Sequence, residues 1–152
     1  MKKWITLGLT LLISLSAFAQ NGDKDIAGIT AAVQNYFDGY VDRDIDKLNK
    51  AFDTANGTMK VPAVKNGQTT AYENRYFKEL MPIWGNREKL DPEVRNNCAL
   101  EILNMDVVDS RIATARISMK VDKMEYIDML SLQKIEGQWK ITNKIYVARE
   151  RQ

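Results

Sequence analysis

The strongest candidate for chemistry in this sequence is Asp128, a single carboxylate within an apolar stretch. Alternate residues of a strand point to the same side, so Asp128 shares one side of a predicted strand with Tyr126, Leu130 and Leu132. Because leucines belong in a core, we expect this side to face inward. Burial raises the pKa of a carboxyl group, which is how a general acid or base for neutral pH is made. The alternative is a structural role, in which Asp128 satisfies buried backbone donors or pairs with a tyrosine or lysine.

The last predicted strand offers two more candidates. Alternation places Trp139 and Asn143 on the same side as Ile141, Ile145 and Val147, and we expect that side to face the same interior as Asp128. Asn143 could then hydrogen-bond a ligand carbonyl or hold the carboxylate in place. Trp139 either borders a ligand or fills the core. Lys144 has the opposite parity, so we expect it to be solvated.

Several aromatic residues can close a cavity in front of Asp128. The apolar side of the strand predicted at 112–121 carries Ala113 and Ala115, whose small side chains leave room. A cavity with aromatic walls and few polar groups is the usual composition of a small-molecule site. We therefore predict a ligand pocket that contains Asp128 and eight other residues: Tyr36, Tyr40, Phe52, Tyr76, Trp84, Tyr126, Trp139 and Asn143.

The composition excludes several kinds of chemistry. The chain has no histidine, which removes Ser-His-Asp and Cys-His catalysis and the usual histidine-containing zinc sites. Its one cysteine, Cys98, cannot form an internal disulfide, and we expect it to act as a small apolar side chain. Asp42, Asp44 and Asp46 alternate but lack the glycine and the distal glutamate of a calcium loop, so helix capping explains them. We expect no metal and no cofactor.

Residues 1–19 have the features of a bacterial secretory signal peptide. Lys2 and Lys3 form a basic start, an apolar run follows, and Ala17-Phe18-Ala19 is a small-x-small cleavage pattern. We expect a periplasmic or secreted product without a membrane anchor, because no cysteine follows the cleavage site. Cleavage removes both lysines, which leaves 20 basic and 20 acidic residues of the original 22 and 20. Charges of both signs alternate along the remaining single domain, 20–152, which argues against a nucleic-acid partner.

Three helices are predicted in the first half of this domain. Apolar residues at steps of three and four predict a helix from Ile26 to Tyr40, with Asp23 or Asp25 as its cap. A second, short helix follows with Asp44 as its cap. The third is predicted at 76–84.

Strands dominate the second half. The pair Asn66-Gly67 predicts a tight turn after a short strand at 58–64. Period-two alternation then predicts strands at 98–107, 112–121, 126–135 and 139–148. Helices followed by a run of strands indicate an α+β fold, with the helices on one face of an antiparallel sheet.

Two segments carry a resemblance to a known family. The sequence is similar to the putative lumazine-binding family of the nuclear transport factor 2-like (NTF2-like) superfamily. The matching residues are Tyr36 to Tyr40, Asp44, Leu48 and Ala51-Phe52, then 128–134, 137–141 and 143–144. The resemblance implies a cone in which three helices pack into the concave side of a strongly curved sheet and leave a pocket. Many relatives have a histidine directly after the residue equivalent to Phe52, whereas this chain has Asp53.

The resemblance leaves three functions open. The first is a non-enzymatic protein that binds a small, partly apolar or aromatic molecule. The second is an isomerase- or dehydratase-like enzyme in which Asp128 moves a proton and Tyr36, Tyr40 or Asn143 stabilises an enolate oxygen. The third is an interaction module, a homodimer formed through the convex face of the sheet. An apolar strip of Ile127, Met129 and Ile135 on that face suggests burial in a dimer.

Overall fold

The computed structural model describes the backbone of residues 7–151 and the side chains of residues 22–151. Four helices and six strands follow one another in this part of the chain, and the predicted α+β fold is confirmed. The predicted signal peptide spans residues 1–19, and its first six residues lie outside the described part of the chain. No helix in the described part is long and apolar enough to cross a membrane. The elements are α1 (Leu7–Asp42), α2 (Ile45–Ala51), β1 (Thr58–Lys65), β2 (Gln68–Tyr76), α3 (Phe77–Gly85), α4 (Pro92–Asn96), β3 (Ala99–Val108), β4 (Ile112–Val121), β5 (Met124–Ile135) and β6 (Gln138–Glu150).

The six strands form one curved sheet in the order β2-β1-β6-β5-β4-β3. All neighbours are antiparallel except β1 and β6, which run parallel where Thr58 to Lys60 pair with Asn143 to Ile145. The helices cover the concave face, and the core lies between the two layers. Ile117 and Ile141 of the sheet are fully buried there, opposite Phe77 of α3.

Helix α1 corrects one prediction. Asp23 and Asp25 do not cap it, because the helix already begins at Leu7. Asp25 is buried instead, and it accepts hydrogen bonds from Lys134 Nζ at 2.8 Å and Trp139 Nε1 at 3.1 Å. The hydrogen-bonded Lys134 ammonium holds the pKa of the Asp25 carboxyl below its ordinary value. At the same place Gly28 lets the helix approach β6 closely, since a Cβ there would lie 2.7 Å from Trp139 Cδ1.

Helix α2 begins as predicted. The Asp44 side chain accepts hydrogen bonds from the backbone N–H of Asp46 at 3.0 Å and of Lys47 at 3.1 Å. These bonds satisfy two of the donors that an α-helix leaves unpaired at its start. The acidic cluster at 42–46 therefore contains a helix cap, and Asp42 pairs with Arg95.

A bulge in β6 decides which residues of this strand face the helices. Ser131 of β5 pairs with Asn143, but the next residue, Leu132, pairs with Ile141, so Thr142 is an extra residue. One extra residue moves every following side chain to the other face of the sheet. Trp139 and Ile141 face the core as predicted. Beyond the bulge the core-facing residues are Lys144 and Tyr146 rather than Asn143, Ile145 and Val147.

Candidate functional site

A cavity of about 300 Å³ lies between α1, α3 and the concave face of the sheet. Five aromatic side chains make up much of its wall, and apolar side chains from the strands and from α3 complete it. Three cationic side chains also reach it. The lining consists of Tyr36, Tyr40, Trp84, Tyr126 and Tyr146; of Met59, Val61, Leu80, Ile83 and Met119; and of Arg75, Arg87 and Lys144.

A buried hydrogen-bonded triad, made of Tyr36, Asp128 and Lys144, forms the polar part of the inner wall. The Tyr36 hydroxyl donates to Asp128 Oδ2 at 2.9 Å and accepts from Lys144 Nζ at 2.6 Å. Lys144 Nζ also donates to Asp128 Oδ2, as an ion pair. Asp128 is 0% exposed and Lys144 is 3% exposed. Tyr36 and Lys144 border the cavity directly, whereas Asp128 is reached through them.

Not every donor and acceptor of the triad has a hydrogen-bond partner. An ammonium has three N–H donors, and the described bonds of Lys144 use two of them. One donor is therefore left over beside the cavity. The other carboxylate oxygen, Asp128 Oδ1, is buried and has no hydrogen-bond partner among the described residues. One N–H of Lys144, whose Nζ also lies 4.9 Å from the centroid of the Tyr146 ring, thus has no hydrogen-bond acceptor among the described residues, while the Tyr36 hydroxyl proton is already committed to Asp128.

Burial and charge shift the pKa values of Tyr36 and Lys144. Desolvation raises the pKa of the Tyr36 hydroxyl well above its ordinary value, and the negative charge of Asp128 raises it further. Tyr36 therefore remains a protonated donor at neutral pH. Desolvation lowers the pKa of the Lys144 ammonium, and the attraction of Asp128 opposes that shift.

Aromatic contacts hold the triad and the cavity wall in place. The Tyr36 ring meets the Phe52 ring edge to face, with centroids 4.9 Å apart, and stacks at 6.2 Å on Trp84. Tyr40 meets Trp84 edge to face at 5.4 Å. Such pairs add stability beyond the burial of their area and restrict the orientation of each ring. These contacts therefore fix the orientation of the aromatic part of the wall.

Arginines surround Tyr40 at the outer end of the cavity. The guanidinium carbons of Arg43 and Arg87 each lie 5.4 Å from the centroid of the Tyr40 ring. Arg87 Nη1 also donates to the Tyr40 hydroxyl at 2.7 Å. Burial raises the pKa of Tyr126, which packs against Tyr40, to about 12. The Tyr126 phenol is therefore neutral at physiological pH.

The structure brings some of the predicted pocket residues together and separates others. Tyr36, Tyr40, Trp84 and Tyr126 line the cavity, and Asp128 lies directly behind it. Contrary to prediction, the remaining four do not line the cavity, and each lies elsewhere for its own reason. These are Phe52, Tyr76, Trp139 and Asn143.

Three of these four are aromatic: Phe52 and Tyr76, expected to close the wall from the helices, and Trp139, expected there from strand parity. Phe52 is 1% exposed and packs against Phe77 with ring centroids 4.4 Å apart, inside the core. Tyr76 immediately precedes α3 and its side chain is 43% exposed. Trp139 is buried at the other end of the core, where it donates to Asp25. Aromatic character alone does not distinguish a cavity wall from a core position.

Asn143 was predicted to face the interior and Lys144 the solvent, and the structure shows the reverse. Asn143 faces away from the helices and donates to Thr58, to its carbonyl oxygen at 3.2 Å and to Oγ1 at 3.0 Å. Lys144, predicted to be solvated, is in the triad instead. The bulge at Thr142 is the cause. The aromatic Tyr146, which has the same parity as Lys144, was the one signal in the sequence that this side turns inward.

Among residues 22–151, no group of three or more acidic or cysteine side chains is placed to hold a metal ion. Cys98 is half-buried and its thiol donates to the Val94 carbonyl oxygen at 3.3 Å.

A curved sheet with helices across its concave face, and a cavity between the two, is the arrangement of NTF2-like proteins. An NTF2-like protein of unknown function from Shewanella baltica has a TM-score of 0.70 at 22% identity, over 84% of this chain and 96% of the other. One from Silicibacter pomeroyi has a TM-score of 0.68 at 19% identity, over 84% and 98%. A ketosteroid isomerase-like protein from Erwinia carotovora atroseptica has a TM-score of 0.54 at 16% identity, over 82% and 96%. At these identities the likeness concerns the fold.

The family is defined by sequence. The model of the family described as putative lumazine-binding matches residues 24–147, and the chain belongs to that family. The predicted resemblance is therefore confirmed, and with it a fold that carries a ligand-binding pocket. No curated protein matches the sequence significantly.

Proposed function

We propose that the protein binds a small molecule with an aromatic or partly apolar body in the cavity above the triad. The observation that carries this proposal is the position of Lys144, a buried ammonium with an uncommitted N–H beside a cavity with five aromatic walls. An oxygen of the ligand would accept that hydrogen bond, and the aromatic side chains would bury its body. The volume, about 300 Å³, is at the lower end of the range for small-molecule sites.

Native mass spectrometry of the protein purified from its own host tests this proposal. We expect a co-purifying small molecule on the wild type. Ile83→Trp should remove it, because Ile83 lines the cavity and is 49% exposed, so that a larger side chain can block the opening without disturbing the core. Ile26→Trp is the matched control, since Ile26 is 44% exposed on α1 and does not line the cavity.

The proposal is contradicted if the wild type carries no molecule and no aromatic compound from a screening library raises its melting temperature. Equal occupancy in Ile83→Trp and the wild type would also contradict it, because the ligand would then lie elsewhere. The same spectra report the subunit mass.

We also propose that the protein is exported and that residues 1–19 are removed, on the strength of the sequence pattern alone. A subunit mass equal to that of residues 20–152 would support this proposal.

An enzymatic function is the second candidate. The hydrogen bonds from Tyr36 and Lys144 to Asp128 give a path by which a proton could pass between the carboxylate and the cavity. Asp128 would act through these two residues, because it does not line the cavity itself. Asp128→Asn should then abolish turnover of a carbonyl substrate, and unchanged turnover across a panel of such substrates would rule the hypothesis out.

We further propose a homodimer formed through the convex face. A hollow of about 430 Å³ on that face is lined by the apolar Ile127, Met129, Ile145 and Val147, of which Val147 is 61% exposed, and by Lys60, Tyr72, Arg116 and Tyr146. A contiguous apolar surface of this kind is typical of an interface. Light scattering should give a dimer for the wild type, a monomer for Val147→Lys and a dimer for Ile26→Lys. A wild type that stays monomeric at high concentration would contradict the proposal.

A further inference from the structure

We infer that the ligand of this cavity is an aromatic anion, whose small negative group, such as a carboxylate, is bound at the outer end by Arg87 and Arg75. This inference rests on the proposed binding function and specifies the chemical class of the ligand. It follows from the charges around the cavity, from the hydrogen bonds of Arg87 and from a comparison with Arg43.

The described lining of the cavity carries positive charges and no negative ones. It contains Arg75, Arg87 and Lys144 and no acidic side chain. Asp128, behind the wall, is the buried counter-charge of Lys144. The charges of the two arginines therefore remain for a ligand. In a partly enclosed cleft such charges act through a lower effective dielectric than in bulk water, which favours an anion.

Arg75 is only weakly compensated by the protein. Its Nη1 lies 3.7 Å from Glu73 Oε1, and the Glu73 side chain is 66% exposed. An ion pair with such an exposed partner contributes little, because solvent and salt screen it. A ligand carboxylate held inside the cavity mouth can therefore compete with Glu73.

Unlike Arg75, Arg87 has no carboxylate within 4.0 Å among the described residues. The Tyr40 ring and hydroxyl hold its guanidinium in position. Of its five N–H donors, the described hydrogen bonds use one. A guanidinium held in this way offers a planar pair of donors, which matches the two oxygens of a carboxylate.

Arg43 shows what an arginine with a structural role looks like at the same ring. It lies at the same 5.4 Å from the Tyr40 centroid. However, its donors go to backbone carbonyl oxygens, those of Tyr40 and, at 3.1 Å, of Glu88, and it does not line the cavity. Arg43 is thus used to fix the chain around Tyr40, whereas Arg87 is presented to the cavity.

Calorimetric titration with a matched pair of ligands, 2-naphthoate and 2-naphthamide, tests the inference. The two have the same aromatic body and differ in charge. A charge-assisted hydrogen bond at a partly exposed site favours naphthoate by about tenfold in Kd, the lower part of the usual range. Arg87→Gln should weaken naphthoate by about tenfold and leave naphthamide within about twofold. Arg75→Gln should have a smaller effect in the same direction, and Arg43→Gln should change neither.

Each outcome of this experiment has a distinct meaning. Equal binding of both compounds to the wild type overturns the anion inference and leaves small-molecule binding intact. A loss of naphthoate affinity that is as large in Arg43→Gln as in Arg87→Gln also overturns it, because the preference would then come from the general charge of this surface. If neither compound binds, the inference is overturned for planar aromatic acids, and co-purification with the Ile83→Trp comparison decides the binding function separately.

Discussion

Replacing Lys144 with methionine is expected to lower the free energy of unfolding by about 3–5 kcal/mol. Methionine keeps much of the length of the side chain but removes the charge. The Asp128 carboxylate, 0% exposed, would then be left without its counter-charge, and its Oδ1 already has no partner among the described residues. An uncompensated charge in a core costs more than the ion pair itself contributes, because water can no longer solvate it.

A double-mutant cycle, measured by urea unfolding, shows whether the loss comes from the Lys144–Asp128 ion pair. The double variant Lys144→Met with Asp128→Asn should recover a large part of the loss, because it removes the charge and still leaves an oxygen to accept from Tyr36. Lys123→Met is the control, since this exposed lysine should change stability by no more than about 0.5 kcal/mol. A loss below about 1 kcal/mol for Lys144→Met would show that water reaches the triad.

Phe52→Ala is expected to cost about 3–5 kcal/mol of stability, the usual range for an aromatic residue removed from a core. Its ring lies 4.9 Å from Tyr36 and 4.4 Å from Phe77, and alanine would leave a void between them. Tyr76→Ala removes another residue that was predicted, like Phe52, to line the pocket. Because its side chain is exposed and contacts Lys78, we expect a cost of about 0.5 kcal/mol.

Urea unfolding of the two variants side by side is the measurement. Equal costs would contradict the separation of the two aromatic residues into core and surface. A Phe52→Ala variant that keeps full stability would show instead that the aromatic cluster around Tyr36 repacks without a void.

Local patterns in the sequence predicted a large part of the fold correctly. The alternation of Ala113, Ala115 and Ile117 identified the buried side of β4, and that of Leu130 and Leu132 identified the buried side of β5. In a regular strand the side chains point alternately to the two faces of the sheet, so knowing the face of one residue gives the face of all the others. The cap at Asp44 was equally local, because the bonds that define it reach only two and three residues along the chain.

The candidate site was less predictable because it depends on contacts between distant parts of the chain. Tyr36 and Asp128 are separated by 92 residues, and Asp25 and Trp139 by 114. The sequence indicated that Asp128 faces the interior, and the tertiary structure supplied its partners. The helix that carries Asp25 starts earlier than its amphipathic pattern, so a residue expected at a helix end lies within the helix and is buried against β6.

By itself, the sequence determined the α+β order of elements, the family, the buried sides of the regular strands and the absence of histidine chemistry. Only the tertiary structure decided that Lys144, and not Asn143, faces the cavity. The physical reason is the extra residue at Thr142, which is defined by how β6 pairs with β5 and not by the residues of β6 alone. That one residue turns the Lys144 ammonium inward, where it pairs with Asp128 and borders the cavity.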